Sequence, residues 1–166
     1  MKYKLFPCIL CITLFSCHFQ KKENTSAVKE VNICIYGGTS AGVVAAYSAK
    51  KMGKSVLLVE PGTYLGGMTT GGLGATDIGN KYAVTGLARL FYRRIGEHYN
   101  KFEQWTFPPS VATATMNRFV KDADLDVLYY RRITNAKVQN KRIQSITLED
   151  SQKPDKKTLI QVKAKQ

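Results

Sequence analysis

The run Gly37-Gly38-Thr39-Ser40-Ala41-Gly42 is the part of this chain whose residue types and spacing can do chemistry. Its glycines let a backbone turn tightly and approach a ligand closely. If a helix begins at that turn, its first N–H groups have no partner inside the helix and form an anion site. Glu60 stands 18 residues beyond Gly42. That is near the spacing of about 20 at which a carboxylate accepts both hydroxyl protons of a ribose. Pyrophosphate on the turn and ribose on the acid are what a dinucleotide needs. In the G-x-G-x-x-G register, Thr39 takes the place of the middle Gly. Its side chain must point aside or donate its hydroxyl to a phosphate oxygen.

The flanking sequence supplies the elements that would position these groups. Val31–Tyr36 is an apolar, β-branched run that predicts a buried strand. Ala41–Met52 predicts a helix, with Ala41, Ala45 and Ala49 as a small face against a sheet and Gly53 as its C-cap. Ser55–Val59 predicts a second buried strand, ended by Glu60. From Asn32 to Glu60 this unit has 29 residues, close to the 30 or so that a βαβ crossover requires.

The stretch Pro61–Gly74 separates the possible cofactors. It holds Gly62, Gly66, Gly67, Gly71, Gly72 and Gly74, with Leu65, Met68 and Leu73 between them as apolar anchors. A nicotinamide-binding unit passes from its ribose acid into another helix. Here the chain is expected to stay extended, with backbone exposed to wrap a long planar ligand. The alternative is a flexible surface linker, which lacks such anchors. Three functions stay open: a flavin enzyme acting on a small molecule, a nucleotide-binding remnant without turnover, and a nicotinamide enzyme on the same βαβ unit. The glycine loop favours the flavin.

The turn Tyr36–Gly42, the strand end Leu57-Leu58-Val59-Glu60 and the loop Leu65-Gly66-Gly67-Met68-Thr69 together resemble the bacterial FAD-dependent oxidoreductases related to the A subunit of heterodisulfide reductase. The likeness runs on through Thr85-Gly86-Leu87-Ala88-Arg89 and Phe107–Ala112 and covers roughly residues 31–150. The resemblance implies that Gly37, Gly38, Thr39, Ser40, Ala41 and Gly42 hold the FAD pyrophosphate and that Glu60 holds the adenosine ribose. It implies that Gly66, Gly67, Met68, Thr69 and Thr70 pass beside the ribityl chain and flavin. Backbone near Ile133 would meet the adenine.

The remaining elements fit an α/β fold of that kind. Thr85 is placed to cap a helix Gly86–Tyr99, with Leu87, Leu90, Phe91, Ile95 and Tyr99 inward and Arg89, Arg93 and Arg94 outward. Ser110 is placed to cap a helix Val111–Ala123, with Val111, Met116, Phe119 and Val120 inward. Asp126–Tyr130 predicts a third parallel strand. Ile133–Val138, Arg142–Glu149 and Leu159–Val162 predict a small antiparallel meander. The expected fold is a Rossmann-like FAD-binding βαβ unit with a third strand and a meander. Three parallel strands make an incomplete doubly wound domain, since the complete fold has about six. The first strand is expected to keep one open edge. His98 and Trp105 form no set of nucleophile, base and orienting group, so no catalytic residue is assigned.

The front of the chain reads as an address. Lys2 and Lys4 precede the apolar Leu5–Phe15, and Ser16-Cys17 follows, a secretory pattern over residues 1–16. Leu14-Phe15-Ser16-Cys17 resembles a bacterial lipobox, which implies lipidation at Cys17 and residence in the cell envelope, in the periplasm or at the outer membrane. The alternative is an uncleaved buried helix. Residues 17–30 read as a polar tether before a domain at 31–166. Cys8 and Cys11 would leave with the signal and Cys34 lies in an apolar strand, so no metal is assigned.

Composition closes off other classes. Apolar residues are 44% and charged residues 22%, ordinary globular usage that excludes disorder and collagen. No apolar run reaches the length of about 20 residues that spans a bilayer. Removing residues 1–16 takes two Lys and no acid, so the net charge falls from +13 to +11. The basic pairs Lys50-Lys51, Arg93-Arg94, Arg131-Arg132 and Lys156-Lys157 are dispersed among elements. They predict solvated faces and not a nucleic-acid stripe. The expected partners are a small-molecule substrate and, through Cys17 alone, a membrane.

Overall fold

A computed structural model describes residues 27–155 and 158–165 of the chain. The residues of the predicted signal, Cys17 and most of the tether lie outside them. β1 (Ala27–Val31) and β2 (Ile33–Tyr36) are followed by α1 (Ser40–Lys51) and β3 (Val56–Val59). After 3₁₀ turns at Gly67–Thr69 and Lys81–Ala83 come α2 (Gly86–His98), α3 (Pro109–Asp122) and β4 (Asp126–Leu128). β5 (Arg131–Gln139), β6 (Arg142–Asp150) and β7 (Ile160–Ala164) end the described fold.

Two sheets organise these elements. β2, β3 and β4 form a parallel sheet in that order, with Ile33 opposite Val56 and Leu57 opposite Asp126. β7, β6 and β5 form the antiparallel meander, and β1 joins its β7 edge in parallel. β3 explains the layering. Its side chains alternate between two faces, and all four are apolar. Val56 and Leu58 enter the core made with α1, α2 and α3. Leu57 and Val59 enter the second core, with Ile146, Leu148 and Val162 of the meander. A parallel strand covered on both faces has no place for a polar residue.

The expected α/β architecture is present, with four local corrections. Ala27–Glu30, expected in the tether, form most of β1. The strand is mostly exposed and is tied by Lys29–Asp126 and Glu30–Lys163 ion pairs, so its polar alternation reads as a linker. Asn32 ends it, and its amide side chain and backbone staple to Ser55 beside the start of β3. On α1 the buried face is Gly42, Val43 and Ala46; Ala41 and Ala45 are exposed. Small residues surround that helix, so their spacing did not locate its inner face.

The other two corrections concern the later helices. Arg94, expected outward, is buried: it lies over the Phe119 ring and donates to Asp122 at 2.7 Å. α3 starts at Pro109 with Pro108 as its cap residue, two residues earlier than a Ser110 cap would set. Pro suits a first helical position because it has no N–H to satisfy there. Thr85 does precede α2, although its side chain makes no capping bond.

Candidate cofactor-binding site

Gly37 leaves β2 with φ +106°, a left-handed conformation that glycine adopts without strain. Its N–H donates to the Val59 carbonyl at 2.8 Å, so the turn is pinned to the end of β3. Gly42 packs so closely against it that an added Cβ would stand 2.0 Å from the Gly37 carbonyl oxygen. Gly38 is confined by side chains: a Cβ there would meet Leu65 and the Glu60 carboxylate. The turn is therefore a cradle closed by backbone at 42, while a side chain at 38 would have to displace Leu65 and Glu60.

Thr39, the departure from the glycine pattern, is the N-cap of α1. Its hydroxyl accepts from the Gly42 N–H at 3.2 Å and its carbonyl takes the Val43 N–H. The side chain thus points aside, toward its own helix. Ser40 and Ala41 keep N–H groups that lack an intrahelical acceptor, which is the anion-binding arrangement of a helix N-terminus. The hydroxyl proton of Thr39 is also free to donate to a phosphate oxygen, since the cap uses only its lone pair.

Glu60 is held in place before any ribose arrives. One carboxylate oxygen accepts from the Gly38 N–H at 2.6 Å and the other from the Gly62 N–H at 2.6 Å. Each oxygen keeps a further lone pair for a hydroxyl donor. The backbone of Glu60 is fixed as well. Its N–H donates to the Leu128 carbonyl, and its carbonyl accepts from the Arg131 N–H. Tyr129 stands nearby; burial pushes its phenol pKa up, and the Glu60 charge adds to that.

The glycine loop docks onto this cradle. The Gly66 N–H donates to the Gly38 carbonyl at 2.7 Å, and Thr39 and Gly66 form a parallel bridge. Gly66 has φ +104°, and a Cβ there would strike Thr70. Thr70 is buried and donates to the Leu65 carbonyl, while Thr69 donates to the Ser40 hydroxyl at 3.4 Å. The loop is therefore neither a linker nor fully extended. Of the three expected anchors only Leu65 is buried; Met68 and Leu73 are 76% and 68% exposed. Leu65 is the one of the three that anchors the loop, beneath Gly38.

Two clefts flank the seam between Thr39 and Gly66–Gly67. One, about 350 Å³, is lined by Thr39, Glu60, Gly62, Thr63, Tyr64 and Gly67. The other, about 310 Å³, lies between α1, Thr69 and the two later helices and is mostly apolar, with Ser40, Val44, Phe91, Tyr92 and Met116 in its wall. A cleft holding the acid and an apolar cleft beyond the helix N-terminus match the two ends of a molecule that is sugar at one end and a flat ring system at the other.

The structure brings Gly37, Gly38, Thr39, Ser40, Ala41, Gly42, Glu60, Gly66, Gly67, Thr69 and Thr70 to one place, with the Met68 side chain turned outward. Cys17 lies outside the described residues. Ile133 sits near the start of β5, an edge strand, with its side chain against the meander-side core. Gly62 and Tyr129 were not anticipated. The Glu60-x-Gly62 spacing was the available signal for Gly62, because an acid can bond the N–H two residues on. His98 is the last residue of α2 and is exposed. Cys34 is half-buried, and burial pushes its thiol pKa up to about 11.

Comparison with known proteins identifies the family. Residues 32–163 match the FAD dependent oxidoreductase family, and the chain belongs to it. Solved structures of similar fold include THI4 of Thermovibrio ammonificans, 19% identical with a TM-score of 0.51 over 74% of this chain and 49% of that one. Another is a 3-ketosteroid-Δ4-(5α)-dehydrogenase from Rhodococcus jostii RHA1, 13% identical, TM-score 0.54, over 85% and 45%. A third is the bacillithiol disulfide reductase Bdr (YpdA) of Bacillus cereus, 15% identical, TM-score 0.52, over 81% and 38%. This chain thus spans half or less of the length of these relatives. No curated protein sequence matches it. FAD is the cofactor of this family.

Proposed function

We propose that this member of the FAD dependent oxidoreductase family holds FAD across the seam between the Gly37–Gly42 turn and the docked glycine loop. The pyrophosphate would lie on the Ser40 and Ala41 N–H groups, and Glu60 would take the adenosine ribose. The flavin end would run past Gly66–Thr70 toward the apolar cleft of Phe91, Tyr92 and Met116. When bound, FAD supplies the electron transfer itself, and the protein positions it. The observation that carries this reading is the Glu60 carboxylate, fixed between the Gly38 and Gly62 N–H groups with acceptor capacity to spare. The cradle fits the group: with no Cβ at 38 and 42 the turn packs against Leu65, Glu60 and the Gly37 carbonyl, which keeps the N-terminus of α1 beside the acid.

The wider reading is an exported oxidoreductase of bacterial type, related to the A subunit of heterodisulfide reductase and acting on a small molecule. Cys17 would carry a lipid in the cell envelope. Purified protein should be yellow and should release FAD on denaturation. Tightly held NADP with no flavin would sink the assignment. In a Gram-negative host the chain should be processed at Ser16/Cys17, and Cys17→Ser should block processing or release it from membranes. Equal membrane retention of an unprocessed Cys17→Ser form would make residues 1–16 a plain anchor. A second reading is a nucleotide-binding module without turnover. FAD release with no reduction by any electron donor would favour the second over the first.

A further inference from the structure

The hairpin of β5 and β6 sorts its charges by position. At its base each Arg faces an acid across the strands: Arg131 lies 3.3 Å from Asp150, and Arg132 bonds Glu149 at 2.7 Å. At its tip the acids stop. Residues 127–148 contain five Lys and Arg and no Asp or Glu. Lys137, Lys141 and Arg142 have no carboxylate partner among the described residues; Arg142 donates to the Lys165 carbonyl. The turn is Asn140-Lys141, both at positive φ (51° and 60°), the tight type that projects a narrow tip.

Two aliphatic side chains sit among these cations. Val138 is 59% exposed and Ile143 is 57% exposed. They are directly opposite in the strand register, so they share one face of the hairpin. The tip therefore offers a solvated aliphatic pair on one face, with Lys137 and Arg142 beside it in the strands and Lys141 in the turn. A protein partner is a poor match, because a tip of about seven residues falls far short of the roughly 800 Å² per side that a stable protein interface buries. The boundary of an anionic bilayer supplies apolar contact and negative charge in one plane and asks for no shape complementarity.

We propose that the β5–β6 hairpin tip, through Val138 and Ile143 with Lys137, Lys141 and Arg142, docks this protein on an anionic phospholipid surface. The contact is independent of how the cofactor is held and of any lipid at Cys17. The test mixes the full chain with phosphatidylglycerol vesicles and with phosphatidylcholine vesicles at low salt. Hydrogen–deuterium exchange reads residues 137–143, so that an N-terminal anchor does not mask the result. Exchange at the tip should slow on phosphatidylglycerol only. The Lys137→Gln/Lys141→Gln/Arg142→Gln variant should weaken this tip contact by roughly a hundredfold, about fivefold per cation. Val138→Ser/Ile143→Ser should weaken it by about tenfold. All five positions are exposed to solvent or in the turn, so thermal melts of the variants should match the parent. Unchanged exchange at the tip on either lipid overturns the proposal. So does protection that the charge variant removes and the aliphatic variant leaves intact, the result expected of an acidic protein-like surface.

Discussion

β2 and β3 have the same kind of sequence and different fates. Ile33-Cys34-Ile35-Tyr36 and Val56-Leu57-Leu58-Val59 are both unbroken apolar runs. β3 is bonded on both edges, by β2 and β4, and none of its residues is more than 3% exposed. β2 is bonded on one edge, its residues are half-buried, and Tyr36 is 46% exposed. Yet the cofactor cradle grows from β2 and not from β3. The rigidity of that cradle is therefore borrowed. Val59 holds Gly37, Glu60 holds Gly38, and Gly38 holds Gly66, so the covered strand and the docked loop fix a turn whose own strand is open.

If that is right, damage at the glycine contacts should exceed damage anywhere on β2. The largest effect is expected from Gly42→Val. The obstructing atom is a backbone oxygen 2.0 Å from the Cβ position, and backbone does not step aside as a side chain end does. Overpacking costs about 1–3 kcal/mol where the core can adjust, and more where it cannot. Chemical denaturation should show a loss of at least about 3 kcal/mol, with FAD no longer retained. A loss below about 0.5 kcal/mol would show that the cradle flexes, and the borrowed-rigidity argument would be wrong.

Cys34 tests the open edge of β2 from the other side. Its thiol is raised to about 11 by burial alone. An ordinary thiol ionises near 8.5, so at pH 8 the reactive thiolate is depleted by roughly a hundredfold. Alkylation of Cys34, followed on its own peptide, should be slower than in urea by about that factor and should accelerate about tenfold per pH unit up to 11. The unfolded thiol releases its proton earlier than the folded one. Stability is therefore expected to fall as pH rises between about 9 and 11. An alkylation rate at pH 8 equal to that in urea would mean that β2 frays in solution.

Glu60 should rank next. Ala at this position leaves the Gly38 and Gly62 N–H groups without an acceptor and removes the ribose contact. Charge-assisted hydrogen bonds contribute about 1.5–3 kcal/mol each, so FAD affinity should drop between about tenfold and a hundredfold. Gln is an instructive intermediate. It has one acceptor oxygen and one NH₂, while two N–H donors face it, so only half of the arrangement is restored. Titration with FAD should order the affinities parent, Glu60→Gln, Glu60→Ala. An unchanged affinity in Glu60→Ala would remove Glu60 from the site.

The parts of this molecule that were legible in sequence are those where burial and steric demand leave one choice. β3 announces itself because a strand covered on both faces must be apolar throughout. Gly37, Gly42 and Glu60 announce themselves because their spacing has a geometric reason. β1 was hidden because an exposed edge strand carries the same polar residues as a tether, and its pairing with β7 spans the whole domain. Arg94 was hidden because its charge is absorbed by Asp122 and two aromatic rings from distant elements. Met68 and Leu73 look like anchors in a glycine-rich run, and only the docking of Leu65 under Gly38 shows that one anchor suffices.

The smallest expected effect separates the two uses of Thr39. Its side chain caps α1 through the Gly42 N–H, and the seam with Gly66–Gly67 is made by backbone at the same residue. A Thr→Ala change at an N-cap costs about 0.5–2 kcal/mol, whereas Gly at the cap costs only a few tenths. If the cap is the whole role of the hydroxyl, Thr39→Ala should lower stability by about 1 kcal/mol and Thr39→Gly by less, with Thr39→Ser close to the parent. FAD affinity should then follow stability only weakly, because the Ser40 and Ala41 N–H groups are untouched. A hydroxyl that also donates to phosphate predicts another order. Thr39→Ala and Thr39→Gly should then lose affinity equally, by about tenfold, the low end for one hydrogen bond to a charged group, and Thr39→Ser should retain it. Thermal melts without FAD measure the cap and titration with FAD measures the phosphate contact, so the two contributions are read independently on the same three variants.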